Sequence, residues 1–185
     1  WPNRARVVLC VVLNLEHYDF DLHPDSFTPA SVPGGRGRGP APDVSIASLR
    51  EYGNRIGVFR IMRLLDRYKI PVTIAIDAAT ASGNPFLVRE CKSRGWEFIG
   101  HGHSVTQTIT SKMSAEQEHD YVRSAVQTIE KAVGQRIAGW VGPEYGESHR
   151  TPSVLSACGI EYQLDWTNDE QPYRMSDAAG RMLAI

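Results

Sequence analysis

Cysteine is scarce in this chain. Its 185 residues hold three, Cys10, Cys91 and Cys158, far apart and with no CxxC pair. That excludes a disulfide-framed scaffold and a cysteine-built zinc site, and small buried thiols are the expectation. Excess charge of either sign is also lacking: 20 Lys+Arg against 21 Asp+Glu leave a formal net charge of -1. Nothing in that balance favours nucleic acid or an anionic membrane as a partner. The longest apolar run, Val7 to Leu15, is too short to cross a bilayer and ends in charged residues. No leader peptide is recognisable, so a cytoplasmic protein is expected. The glycines of Gly34-Gly35-Arg36-Gly37-Arg38-Gly39 have neither a Walker nor a dinucleotide spacing, which leaves no phosphate-cradling loop.

What is present alternates. Val7 to Leu13 is continuous, β-branched and apolar, as a strand of a parallel sheet buried on both faces would be. Residues 19–45 read as a long irregular loop. Arg55 to Tyr68 has helical periodicity through Ile56, Phe59, Met62 and Leu65. Val72 to Ile76 is a second strand, ending at Asp77. Asn84-Pro85 opens a helix that Gly95 closes, and Trp96 to Ile99 is a third strand. Ser114 and Gln117 form a capping box for a helix that runs to Val133 and stops at Gly134. Its predicted inner face is Tyr121, Ala125, Ile129 and Val133. Ile137 to Val141, Glu161 to Asp165 and Arg181 to Ile185 read as strands, with a helix from Thr151-Pro152 to Gly159. The pattern predicts one α/β domain over residues 1–185, built from right-handed βαβ units around a parallel sheet or barrel. The last apolar run has no closing helix. It predicts a barrel incomplete at its C-terminus, either capped by a homo-oligomer contact or a complementing chain, or a truncated fragment of a longer domain.

Polar residues gather at the predicted strand ends: Glu16-His17, Asp77, His101-Gly102-His103, Glu144-Tyr145 and Asp165-Trp166. In a parallel barrel these ends share one rim, where such folds keep their chemistry. Hydrolysis of an amide needs an activated water, a base and a stabiliser for the oxyanion. Glu16 beside imidazoles can supply the base. Glycine on both sides of His101 suggests room for a close approach. Asp77 reads equally as a cap for the following turn, and His103 equally as a partner for a backbone carbonyl. Trp140 reads as core, and His23, His119 and His149 as surface residues.

Three runs carry a resemblance: Val12-Leu13-Asn14-Leu15-Glu16-His17, Gly100-His101-Gly102-His103-Ser104 and Gly139-Trp140-Val141-Gly142-Pro143-Glu144. Together they resemble the polysaccharide deacetylase superfamily, the NodB homology domain of carbohydrate esterase family 4. The branch they are most similar to holds cofactor-independent allantoinases and peptidoglycan-deacetylase-like proteins. The resemblance implies a distorted (β/α) barrel of the deacetylase type and hydrolysis of a carbon-nitrogen bond other than a peptide bond. The family's first motif is a catalytic acid followed by a metal-binding acid; Glu16 matches the first and His17 stands at the second. In the second motif His101 matches the first metal-binding histidine, while Val105 stands at the other. Gly142 occupies the position that usually carries arginine in the third motif, and the final motif, a leucine and a catalytic histidine, is expected beyond Ile185.

Zinc in a catalytic site takes three protein ligands. If a zinc ion is bound here, His101 with His17 or His103 would hold it; no cofactor is the favoured expectation. The predicted activity is deacetylation of an N-acetylated sugar or opening of a cyclic amide or imide such as allantoin. Glu16 and His101 would be catalytic, with His17, His103, Glu144, Tyr145 and Trp166 lining the substrate. The competing expectation is a catalytically inactive remnant, or a subunit that needs another chain.

Overall fold

The computed structural model describes residues 4–22, 26, 42–176 and 182–185. Strands β1 (Val12–Leu15), β2 (Thr73–Ile76), β3 (Glu97–Gly100), β4 (Gly139–Trp140) and β5 (Tyr162–Gln163) lie side by side in parallel. β7 (Leu183–Ala184) continues the parallel set next to β5, and β6 (Tyr173–Arg174) lies antiparallel on its outer side. The order is β1-β2-β3-β4-β5-β7-β6. This is the expected α/β architecture. The sheet stays open between β1 and β6 among the described residues, as a distorted barrel of the deacetylase type would where it is not closed.

The central strands are apolar on both faces, which is why they sit inside. Ile74, Ala75, Ile76 and Ile99 are fully buried, and Phe98 and Trp140 fill the space beneath the helices. β1 is shorter than its apolar run suggested. Pairing with β2 starts at Val12↔Thr73, directly after Pro71-Val72, so among the described residues no strand lies beside residues 4–10. Val7 and Leu9 are therefore exposed, and so is Cys10, which corrects its expected burial. Cys91 is buried as expected, and Cys158 is half-buried at a helix end.

Helix α1 (Val44–Tyr52) was not anticipated. It lies partly within the expected loop 19–45, of which residues 23–25 and 27–41, with His23 among them, lie outside the described residues. Asp43 caps it by accepting from the Ile46 amide at 3.0 Å. A π-helical stretch, Gly53–Gly57, joins α1 to α2 (Val58–Tyr68). α2 buries Val58, Met62 and Leu65 and leaves Leu64 in solvent, as the π-helical stretch leaves Ile56. α3 (Ala78–Gly83) precedes α4 (Pro85–Ser93), whose Pro85 sits at its first turn. α5 (Ala115–Val133) has both halves of the Ser114/Gln117 capping box and ends at Gly134 with φ 67°. It buries Val122, Ala125, Val126, Ile129 and Val133 against β3, α3, α4 and α6 (Thr151–Ala157). Its Glu118 is also buried, satisfied by Ser148, Thr151 and Arg150. No helix among the described residues is long and apolar enough to cross a membrane.

Candidate active site

β1, β2 and β3 run parallel, so Glu16, Asp77 and His101 leave the same edge of the sheet. The structure brings Glu16 and His101 together: the His101 Nε2 to Glu16 Oε1 distance is 3.1 Å. The ring of His101 is 2% exposed, so its hydrogen bonds decide its state. Nδ1 lies 2.7 Å from the Val141 carbonyl, which can only accept, so Nδ1 carries a proton. Nε2 then faces a carboxylate oxygen, and that contact also requires a proton. Burial pulls the His101 pKa down, but the bonds to Glu16 and Val141 outweigh it, and the net direction is up. The bond to His101 is the largest influence on Glu16, and its pKa is lowered against the opposing effect of burial. The resting pair is an imidazolium and a carboxylate.

Two groups absent from the sequence reading hold Glu16 in place. Arg50 Nη1 of α1 donates to Glu16 Oε2 at 2.9 Å, and Asn54 Nδ2 of the π-helical stretch donates to the Glu16 carbonyl at 2.7 Å. Such π turns recur at functional sites. Here one turns Asn54 toward the end of β1. Neither contact could be found locally in the sequence, because each spans more than thirty residues.

Asp77 is the cap of α3, accepting from the Thr80 amide at 2.7 Å, and it also accepts from the His17 amide at 2.5 Å. Burial pushes its carboxyl up to about 6. It ties the end of β1 to β2. Asp19 ties the next turn to the loop after β3. Its carboxylate accepts from Ser104 Oγ at 2.5 Å, from Gln107 Nε2 at 3.2 Å and from Thr106 Oγ1. The His17 ring is partly exposed and lies 3.6 Å from Asp19. His103 turns away from Glu16, with Nε2 2.9 Å from Ser124 Oγ and 3.1 Å from the Tyr121 carbonyl on α5. Burial lowers its pKa.

The glycines flanking His101 have a packing reason. A Cβ on Gly100 would meet the Trp140 ring at 2.5 Å. Gly102 has φ 71°, and a Cβ there would strike Tyr121 and Pro143. Trp140 is core, as read, and His119 and His149 are exposed. Glu144 and Tyr145 form a turn with positive φ, both exposed, and neither is a hydrogen-bond partner of Glu16 or His101. Trp166 is half-exposed and donates its indole N–H to Glu147 Oε2 at 2.8 Å. Glu147 was not singled out in the sequence.

The donor set does not suit a three-ligand zinc site. Both His101 nitrogens are engaged, His103 is spent on α5, and Asp19 on hydroxyl groups. Val105, where a second histidine would stand, is buried against Tyr18 and Ala47. Among the described residues no group of three His, Cys, Asp or Glu side chains could hold a metal ion.

The chain is similar to known proteins in sequence and in fold. A curated protein of Schizosaccharomyces pombe carrying the polysaccharide deacetylase name is 26% identical over 190 residues, 96% of this chain and 58% of that protein. The peptidoglycan deacetylase of Helicobacter pylori is 26% identical over 66% of this chain and 41% of its own length. The crystal structure of Puue allantoinase superposes with a TM-score of 0.80 at 29% identity, covering all of this chain and 63% of that one. A probable polysaccharide deacetylase from Pseudomonas aeruginosa PAO1 gives 0.82 at 27% identity, with the same coverage. The chain thus spans about three-fifths of its full-length relatives. Residues 40–163 match the family model for polysaccharide deacetylase, and the chain belongs to that family.

Proposed function

We infer that this chain carries the catalytic half-site of a hydrolase for a carbon-nitrogen bond outside peptides. The observation behind the reading is the pair of half-buried Glu16 and buried His101 at the ends of β1 and β3, backed by Arg50. Glu16 is ionised at neutral pH and is the group placed to take a proton from water. The water oxygen bonds to the carbonyl carbon of the amide. The proton held on Glu16 passes to the nitrogen as the C–N bond breaks. The His101 imidazolium offers its Nε2–H to the charge that develops on the carbonyl oxygen. A carbonyl entering beside Nε2 competes with Glu16 for that proton, which loosens the pair and makes Glu16 a stronger base. No step requires a metal.

Two substrate classes fit the relatives: an N-acetylated sugar, by the deacetylases, and a cyclic amide or imide, by the allantoinase. The compact set of groups at this rim supports the small cyclic substrate first. His17 and Trp166, both partly exposed, are the side chains offered as its walls. A second reading has one observation in its favour: the apolar Val105 closes the position of a second histidine, as in an inactive remnant. Exposed Val7, Leu9 and Val12 at the β1 edge support an assembly with another copy or a complementing chain. Incubation with acetylated glucosamine oligomers, allantoin and cyclic imides, with and without added zinc, tests the reading. Release of acetate or ring opening without zinc is expected. Turnover that appears only with zinc would overturn the metal-free route, and none on any compound would favour the remnant.

A further inference from the structure

A second ionisable pair lies on the same rim. Glu147 Oε1 and Asp165 Oδ2 are both buried and have no donor when both groups are read as carboxylates. The remaining oxygens are satisfied: Trp166 Nε1 donates to Glu147 Oε2 at 2.8 Å, and the Gly142 amide donates to Asp165 Oδ1 at 2.8 Å. Two orphaned oxygens on neighbouring, interacting carboxylates are costly, and a single proton between them removes the cost. Burial and the neighbouring charge of Asp165 push Glu147 up, and burial pushes Asp165 up. The two are one titrating unit.

The consequence runs through one peptide group. The Gly142 N–H that Asp165 holds and the Val141 carbonyl that holds His101 Nδ1 belong to the same planar unit. Orienting its N–H orients its carbonyl, and a charged acceptor on the N–H strengthens the carbonyl as an acceptor. We propose that Glu147 and Asp165 hold one proton between them and, through the Val141–Gly142 peptide, position the His101 imidazole. They are positioning residues, since neither is a hydrogen-bond partner of Glu16 or His101. The charged groups facing the pair are Glu118 of α5, which repels Glu147, and His101, which attracts Asp165.

Histidine ring ¹⁵N spectra recorded from pH 5 to 10, with Trp166 fluorescence alongside, test this. They read the ring rather than turnover, so the proposal takes His101 as a site group but does not fall with the substrate reading. In the unmodified chain, His101 Nδ1 should show a second, alkaline inflection as the pair loses its proton, matched by a change in Trp166 emission. Glu147→Gln donates permanently to Asp165, so it should lose that inflection and keep the His101 titration. Asp165→Asn should weaken His101 protonation roughly two- to tenfold, the range of a single weak charge interaction. Coincident His101 curves for the unmodified chain and Glu147→Gln would overturn the proposal. So would an unmoved His101 titration in folded Asp165→Asn; if that variant does not fold, Glu147→Gln decides alone.

Discussion

Replacing Glu16 by glutamine should reverse the direction in which the site moves His101. In the native pair, a 3.1 Å bond to a carboxylate overcomes the burial of a ring that is 2% exposed. Glutamine has the same shape, and its amide can donate to Nε2 while Nδ1 still donates to Val141. The neutral ring is then fully bonded, and burial acts unopposed. A hydrogen bond to a charged group is worth about 1.5–3 kcal/mol. At 1.4 kcal/mol per factor of ten, the His101 protonation equilibrium should weaken roughly ten- to a hundredfold. Proton or carbon NMR of the imidazole across pH measures this directly, with circular dichroism to confirm the fold. His101 in Glu16→Gln titrating at or above its native midpoint would refute the reasoning. The sign also fixes the pH window. The raised His101 contributes stability that is whole below its ordinary 6.5 and is lost as pH rises through its folded value. The lowered Glu16 contributes stability that is whole above its ordinary 4.5 and is lost as pH falls through its folded value. The pair therefore stabilises most between those ordinary values, and thermal melts should show the Glu16→Gln deficit greatest there.

Two other predictions concern packing and thiols. Gly100→Ala drives a Cβ to within 2.5 Å of the fully buried Trp140 ring and should cost about 1–3 kcal/mol, a Tm loss of roughly 2–4 °C per kcal/mol; an unchanged Tm would mean that the ring can step aside. Cys10 should react with a maleimide in the folded protein. Cys91, fully buried and pushed up to about 12, should react only on unfolding; early labelling of Cys91 would contradict its placement.

Strong local signals carried most of the fold. The Ser114/Gln117 box, Pro85 at the start of α4 and Gly134 at the end of α5 each state a boundary through backbone chemistry, and the structure places all three there. α3 has no periodic signature, because Ala-Ala-Thr-Ala-Ser-Gly does not alternate apolar with polar residues at helical spacing; its helix is made by the Asp77 cap. α1 followed a glycine-rich stretch that masked its start at Asp43. The reach of β1 was overstated because apolarity measures burial potential, whereas pairing needs a neighbour, and β2 offers one only from Thr73. Within the site, Glu16 and His101 were legible because each directly follows a strand of the same parallel sheet. Arg50, Asn54 and Glu147 were not, since an ordinary helix arginine or loop acid bears no mark of the carboxylate or peptide it meets after folding. His103 followed a strand as His101 does, yet the turn at Gly102 carries it to α5.

The most direct test of the account is turnover of acetylated sugars, allantoin and cyclic imides by the unmodified chain and by Glu16→Gln, side by side. The account predicts hydrolysis by the former, and a loss of roughly a hundredfold or more in kcat by the latter, with its fold intact. Equal rates from the two proteins would contradict it.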